Sequence, residues 1–141
     1  MWQMEDSEDM GRLKATVVLC LAVSMDGKWI AVGTFLGDVL VWDANTYKQI
    51  FAHRGEGIHD INRVEFSPDW TRLVSASDNN TAIVWDIATA KEVQTLCHED
   101  SVRAVKYSPQ GDWIATATRD CMRVYDSNDG HLLIDINATV T

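Results

Sequence analysis

The stretch GDVLVWDANTYKQIF, residues Gly37 to Phe51, returns as NTAIVWDIATAKEVQTL (Asn80 to Leu96) and, with substitutions, as CMRVYDSNDGHLLI (Cys121 to Ile134). Upstream of each lies a second recurring segment: VSMDGKWIAVGT (Val23 to Thr34), FSPDWTRLVSAS (Phe66 to Ser77) and YSPQGDWIATAT (Tyr107 to Thr118). The aromatic-Asp pairs are Trp42-Asp43, Trp85-Asp86 and Tyr125-Asp126, with aromatic spacings of 43 and 40 residues. Self-similarity at such a period means one supersecondary unit repeated and stacked, so the repeat decides the architecture before any single element is assigned.

Within each unit the period is that of strands. RVEFS and AVKYS alternate, WIAVGT and WIATAT are nearly continuous apolar or small runs, and VLVWD and AIVWD are β-branched runs ending in an aromatic. Runs of this kind suit strands buried on both faces. Turn signals separate them, among them Met25-Asp26-Gly27, Ser67-Pro68-Asp69, Pro109-Gln110-Gly111 and Asn128-Asp129-Gly130. The pattern predicts strands at 17–24, 28–34, 38–43 and 46–52, then 60–67, 71–77, 81–86 and 91–97, then 101–108, 112–118, 122–126 and 131–137, with no helix.

Composition narrows the function classes. The 141 residues are 46% hydrophobic, enough for a packed core in one domain's length. Twelve Lys and Arg face 21 Asp and Glu, a net charge of -9, which repels phosphate backbones and anionic membranes. Neither nucleic acid nor membrane is an expected partner. The start, MWQMEDSEDMGRLK, has neither a basic segment followed by an apolar run nor a small-residue cleavage site, so a cytoplasmic location is expected. Cys20, Cys97 and Cys121 are odd in number and form no CxxC, which suits reduced, buried thiols better than a disulfide framework or a zinc site. Asn79 and Asn137 match glycosylation sequons and are read as polar turns.

The three registered units resemble the WD-repeat family of β-propellers over residues 17 to 137. The resemblance implies an all-β fold of three four-stranded antiparallel blades per chain, with an acidic leader at 1–16 and repeats at 17–56, 57–98 and 99–141. It also implies a hydrogen-bonded set in each blade: a His before the first strand, a Ser or Thr on the second, an Asp in the next turn and the Trp on the third. The third repeat carries it as His98, Thr118, Asp120 and Tyr125, with the last interval one residue short. The second has Ser77 and Trp85, with Asn79 at the turn, Gly57 where His is expected and His53 as a substitute through a longer loop. The first keeps Thr34 and Trp42 but has Leu36 for Asp and Lys14 for His, so it must rest more on packing.

Catalysis and metal binding find little footing. His98 beside Cys97 could suggest a ligand pair, but a metal needs three or four converging groups, and His53, His59 and His131 fall in other repeats. A buried imidazole fixing a turn is the simpler role, and Asp43, Asp86 and Asp126 are read as turn acceptors. No GxSxG, HExxH or phosphate-cradling loop occurs, so no enzyme activity, cofactor or metal is expected.

The resemblance places partner-facing positions on the rim near the central channel. In this sequence they are Val17, Leu19 and Phe35, then Asp60, Asn62 and Asp78, then Ser101, Arg103 and Arg119: an apolar cluster beside an acidic and a basic one. Strand packing alone is the competing role for Val17 and Leu19. The leader, with Trp2, Met4 and Met10 among Glu5, Asp6, Glu8 and Asp9, is expected to occupy or compete for that rim.

Three blades cannot close a ring, since propellers have about four to eight and each blade buries its faces on two neighbours. The chain is therefore expected to meet copies of itself or blades from another chain, and closure by oligomerisation is the expectation. Nine blades at about 40° each lie closer to the eight-bladed 45° than six at about 60° lie to the seven-bladed 51°, so a homotrimer is preferred to a homodimer. The expected function is a self-assembling scaffold that binds itself and a protein or peptide. A self-assembling piece of the WD array in an NLR-type immune receptor is one such setting. The alternative is a purely structural fragment, or half of a six-bladed homodimer, with no ligand of its own.

Overall fold

The computed structural model describes residues 17–55 and 59–137, and these form twelve strands. They are β1 (Val18–Val23), β2 (Trp29–Thr34), β3 (Val39–Asp43), β4 (Gln49–His53), β5 (Ile61–Phe66), β6 (Arg72–Ser77), β7 (Thr81–Asp86), β8 (Lys91–Cys97), β9 (Ala104–Tyr107), β10 (Trp113–Ala117), β11 (Cys121–Asp126) and β12 (Leu132–Asn137). Three antiparallel sheets follow in chain order: β1 to β4 is blade 1, β5 to β8 blade 2 and β9 to β12 blade 3. The arrangement is propeller-like. Among the described residues no helix is long and apolar enough to cross a membrane.

Two strands start later than the sequence pattern suggests. Before β4 the Asp43 carboxylate accepts the backbone N–H groups of Asn45 (2.8 Å) and Thr46 (3.1 Å), and Tyr47 takes a left-handed φ of 60°, so a turn consumes these residues. Before β9, Val102 donates its N–H to the Ser77 carbonyl of blade 2 at 3.1 Å, which ties it to the neighbouring blade instead.

The blades share one register. Trp29↔Asp43, Arg72↔Asp86 and Trp113↔Asp126 are the same cross-strand pair, as are Val23↔Ile30, Phe66↔Leu73 and Tyr107↔Ile114. Alternation then gives each sheet two apolar faces. Ala31, Val39, Val41 and Phe51 of blade 1 pack on Val64, Phe66, Leu73 and Trp85 of blade 2. Val74, Ala76, Ala82, Val84 and Leu96 on the other face of blade 2 pack on Val105, Tyr107, Ile114 and Tyr125. These two clusters therefore lie between blades. Each fully buried Val, Leu, Ile or Phe contributes about 1.5–3 kcal/mol, so the blades hold together by these junctions. Val32, Leu40 and Trp42 form a third buried cluster, on the face of blade 1 turned from blade 2.

The hydrogen-bonded set differs from expectation by one pleat. His98 places Nε2 2.7 Å from Thr116 Oγ1 and 3.4 Å from the Tyr125 hydroxyl; its partner is Thr116, not Thr118. Likewise Trp85 Nε1 donates to Ser75 Oγ at 3.1 Å rather than to Ser77. Residues two apart share a strand face, but only the earlier one lies beside the ring on the adjacent strand. The later hydroxyls stand at the strand ends and cap turns. Thr34 accepts from Leu36 (3.3 Å) and Asp38 (3.1 Å), Ser77 from Asn79 (3.1 Å) and Thr118 from Cys121 (3.2 Å). Asp120 makes an exposed ion pair with Arg119 at 3.7 Å rather than joining His98. Blade 1 has Val32 at the position of Ser75 and Thr116, so it lacks the inner hydroxyl and Trp42 sits in an apolar cluster. Its buried turn carboxylate is Asp38, which accepts the Gly55 N–H at 2.8 Å. His53 stacks on Trp85 with centroids 4.5 Å apart, which gives that ring its imidazole neighbour without a histidine at 57.

Candidate partner-binding rim

One end of the three blades is built from the turns after β2, β6 and β10 and from the segments entering β1, β5 and β9. Backbone bonds pin turn to entry in every blade. Phe35 donates its N–H to the Val17 carbonyl (3.1 Å), Asp78 to Asp60 (2.9 Å), and Arg103 to Ala117 (2.8 Å). The β6–β7 turn is further fixed by Asn79, whose side-chain oxygen accepts from the Thr81 N–H at 3.2 Å. These backbone bonds hold the short segments, and the side chains on them, in place.

Blade 2 supplies the most connected part. Asn62 Nδ2 donates to the Asp78 carboxylate at 2.8 Å and to the Val102 carbonyl at 3.0 Å, so one amide bridges blades 2 and 3. Ser101 Oγ donates to the Asp78 carbonyl at 3.4 Å. Asp60, Asn62, Asp78 and Ser101 thus form one bonded cluster. Asn62 is half-buried and spent on this scaffold, while Asp78 is exposed.

The cations stand beside it. Arg103 and Arg119 are exposed, and the ion pair of Arg119 with Asp120, both well solvated, is worth at most about 1 kcal/mol. In blade 1, Val17 and Leu19 are exposed and Phe35 is half-buried, with the backbone bond bringing Val17 and Phe35 together. The rim therefore carries apolar, acidic and basic sectors in blade order. The leader residues 1–16 lie outside the described residues. The bridging role of the Val102 carbonyl had no counterpart in the sequence reading, since a backbone acceptor leaves no residue-type signal.

Other titratable groups serve the scaffold. His98 donates Nδ1–H to the Leu96 carbonyl (3.0 Å), which leaves Nε2 to accept from Thr116, and burial depresses its pKa. Burial pushes the Cys20 thiol up to about 11, which keeps it protonated and unreactive, but the expectation of buried thiols fails at Cys97, which lies exposed at the end of β8. At the opposite end, hydrogen bonds from Ser24 and Ser67 hold the Asp26 and Asp69 carboxyls below the usual range and lock the β1–β2 and β5–β6 turns. Among the described residues no group of three or more His, Cys, Asp or Glu is placed to hold a metal.

The family model described as "WD domain, G-beta repeat" matches residues 10–43, 45–86 and 90–126. The chain is 27% identical over 103 residues to Cross-pathway control WD-repeat protein 2 of Flammulina velutipes, covering 73% of this chain and 32% of that protein. It is 30% identical over 88 residues to small ribosomal subunit protein RACK1 of Drosophila melanogaster (62% and 27%) and 34% identical over 81 residues to WD repeat-containing protein 1 of Bos taurus (56% and 13%). Among solved structures, that of U3-55K superposes with a TM-score of 0.78 at 12% identity, covering 86% of this chain and 39% of that one. The chain thus spans a third or less of the length of these curated relatives.

Proposed function

The chain belongs to the WD domain, G-beta repeat family, and on that premise we propose that it is a non-enzymatic protein-interaction scaffold acting in the cytoplasm. Its rim takes an acidic, apolar peptide or loop. The observation that carries this reading is the sector order: exposed Val17 and Leu19 with Phe35 at one end, and Arg103 and Arg119 at the other, on turns tied down by backbone bonds. An aromatic or aliphatic side chain would anchor on Phe35 while carboxylates are steered by the two arginines. Asp60 and Asp78 between them would exclude peptides with a second run of acid.

The ring is completed by copies of the chain, as a nine-bladed homotrimer in preference to a six-bladed homodimer. This is favoured by the smaller change in turn per blade, about 5° from an eight-bladed ring against about 9° from a seven-bladed one. A trimer would present the rim three times and so bind multivalently.

The test uses the chain's own leader sequence as probe: a labelled peptide of residues 1–10, MWQMEDSEDM, titrated into protein lacking those residues. Binding that weakens at least tenfold in Arg103→Glu/Arg119→Glu and in Phe35→Ala, and that falls with salt, supports the rim. Affinity unchanged by those substitutions overturns it. Light scattering at three times the 15.8 kDa protomer mass supports the trimer, and twice that mass supports the dimer.

A further inference from the structure

The inner-strand positions at the two ends of the three-blade arc repeat those that meet in its two internal junctions. In each internal junction the inner strand of the later blade packs on the first two strands of the earlier one: β5 on β1 and β2, β9 on β5 and β6. The later blade contributes Val64 and Phe66, then Val105 and Tyr107, none more than 8% exposed. By register the same two positions in blade 1 are Leu21 and Val23, which are 62% and 57% exposed.

The other half is open on blade 3. Ala31 of blade 1 and Val74 of blade 2 are fully buried by the blade that follows, whereas their equivalent Ala115 is half-buried. Trp113 beside it is 41% exposed, while its equivalent Trp29 packs against the core that holds Phe66. Size at one further position points to the same occupant. A β-carbon on Gly33 would meet Ile61 Cγ2 of the next blade at 2.3 Å, and the equivalents of Gly33 are the small residues Ala76 and Ala117. Blade 3 thus keeps the small side chain that a closely approaching inner strand requires, although among the described residues no strand approaches it. On blade 1, Val32, Leu40 and Trp42 toward the perimeter are already buried, which confines the open surface to the channel side, where β1 runs.

We propose that the open face of blade 3 is occupied by β1 of a second copy, docked head to tail, with Leu21 and Val23 of one copy against Trp113, Ala115 and Ala117 of its neighbour. This rests on ring completion by copies and adds which surfaces meet. The contact is heterologous: each copy uses a different face at each end, which is the condition for a closed cyclic ring.

The experiment is light scattering on three preparations of the full chain: wild type, Val23→Glu and Trp113→Glu. Both side chains are solvent-exposed in the protomer, so neither carries its core, and Leu21→Ser serves as a second variant of the first face. Each variant should fall to the protomer mass with an unchanged circular dichroism spectrum. An equimolar mixture of Val23→Glu and Trp113→Glu should give a pair of twice the protomer mass that grows no further, because one intact junction remains and its two outer faces are both spoiled. Should Trp113→Glu dissociate while Val23→Glu and Leu21→Ser keep the wild-type mass, blade 3 pairs with blade 3 and the head-to-tail assignment is wrong. Variants that all keep the wild-type mass place the interface elsewhere and overturn the assignment while leaving the oligomer standing. A wild type at the protomer mass at every concentration removes ring completion by copies, and this proposal with it.

Discussion

Replacing Thr116 by Val removes one hydroxyl and keeps the shape. His98 is buried, its Nδ1–H is committed to the Leu96 carbonyl at 3.0 Å, and its Nε2 faces Thr116 Oγ1 at 2.7 Å. Once that hydroxyl is gone, the remaining neighbour of Nε2 is the Tyr125 hydroxyl at 3.4 Å, too far for a strong bond. A buried acceptor left without its donor costs about 1–3 kcal/mol, and because valine fills the same volume almost none of this comes from a cavity. Thr118→Val removes a turn cap on a half-buried side chain and should cost about 0.5–1 kcal/mol. The assay is urea unfolding of the two variants and of His98→Leu, alone and combined with Thr116→Val. The reasoning requires that Thr116→Val cost more than Thr118→Val, and that the double variant cost less than the sum of its singles, since the bond is lost once. A Thr116→Val protein within about 0.5 kcal/mol of wild type, or a fully additive cycle, would refute it.

Three further outcomes are expected. Because burial depresses the His98 pKa below its ordinary 6.5, the unfolded chain binds the proton more readily; stability is full above about pH 6.5 and falls as pH drops through the folded value, an effect that His98→Gln should reduce when melting temperatures are compared from pH 7.5 to 5. Thr116, Tyr125, Arg123, Glu99 and Asp135 surround that imidazole, and the Arg123 charge works in the same direction as burial. Gly33→Ala forces Ile61 and Cys20 away from the new β-carbon, at 2.3 and 2.7 Å, and should lower stability by about 1–3 kcal/mol in the same unfolding assay. Ala90 sits at φ 58° where blade 3 has Gly130 at 74°, so Ala90→Gly should raise the melting midpoint, by up to about 1 kcal/mol in free energy.

How the sequence came to fix so much can be seen in single positions. The β7 strand was legible because TAIVWD is a β-branched run between the turn residues Asp78 to Asn80 and the Asp86 cap, and it formed at Thr81–Asp86. Repetition then carried the assignment to the weaker third copy, whose Tyr125 keeps the ring in the pair with Ile114 that Trp85 makes with Leu73. The rim positions came from the family resemblance; the structure bonds Asp60, Asn62 and Ser101 to Asp78, and the partner-binding role of the rim is the proposal above. The partner of His98 could not be read this way. Thr116 and Thr118 lie on the same strand face, and only the lateral placement of β11 beside β10 puts the earlier hydroxyl against the imidazole.

Sequence alone determined the strands, their order and the repeat, because strand period, turn residues and a recurring segment are properties of neighbours along the chain. Tertiary structure decided which hydroxyl meets which ring, that Asn62 bridges to the Val102 carbonyl, and that Leu21 and Val23 stand open where Val64 and Phe66 are covered. Residues with the same pattern differ here only in whether another blade lies against them, and that is a fact of packing across the chain, to which local periodicity is blind.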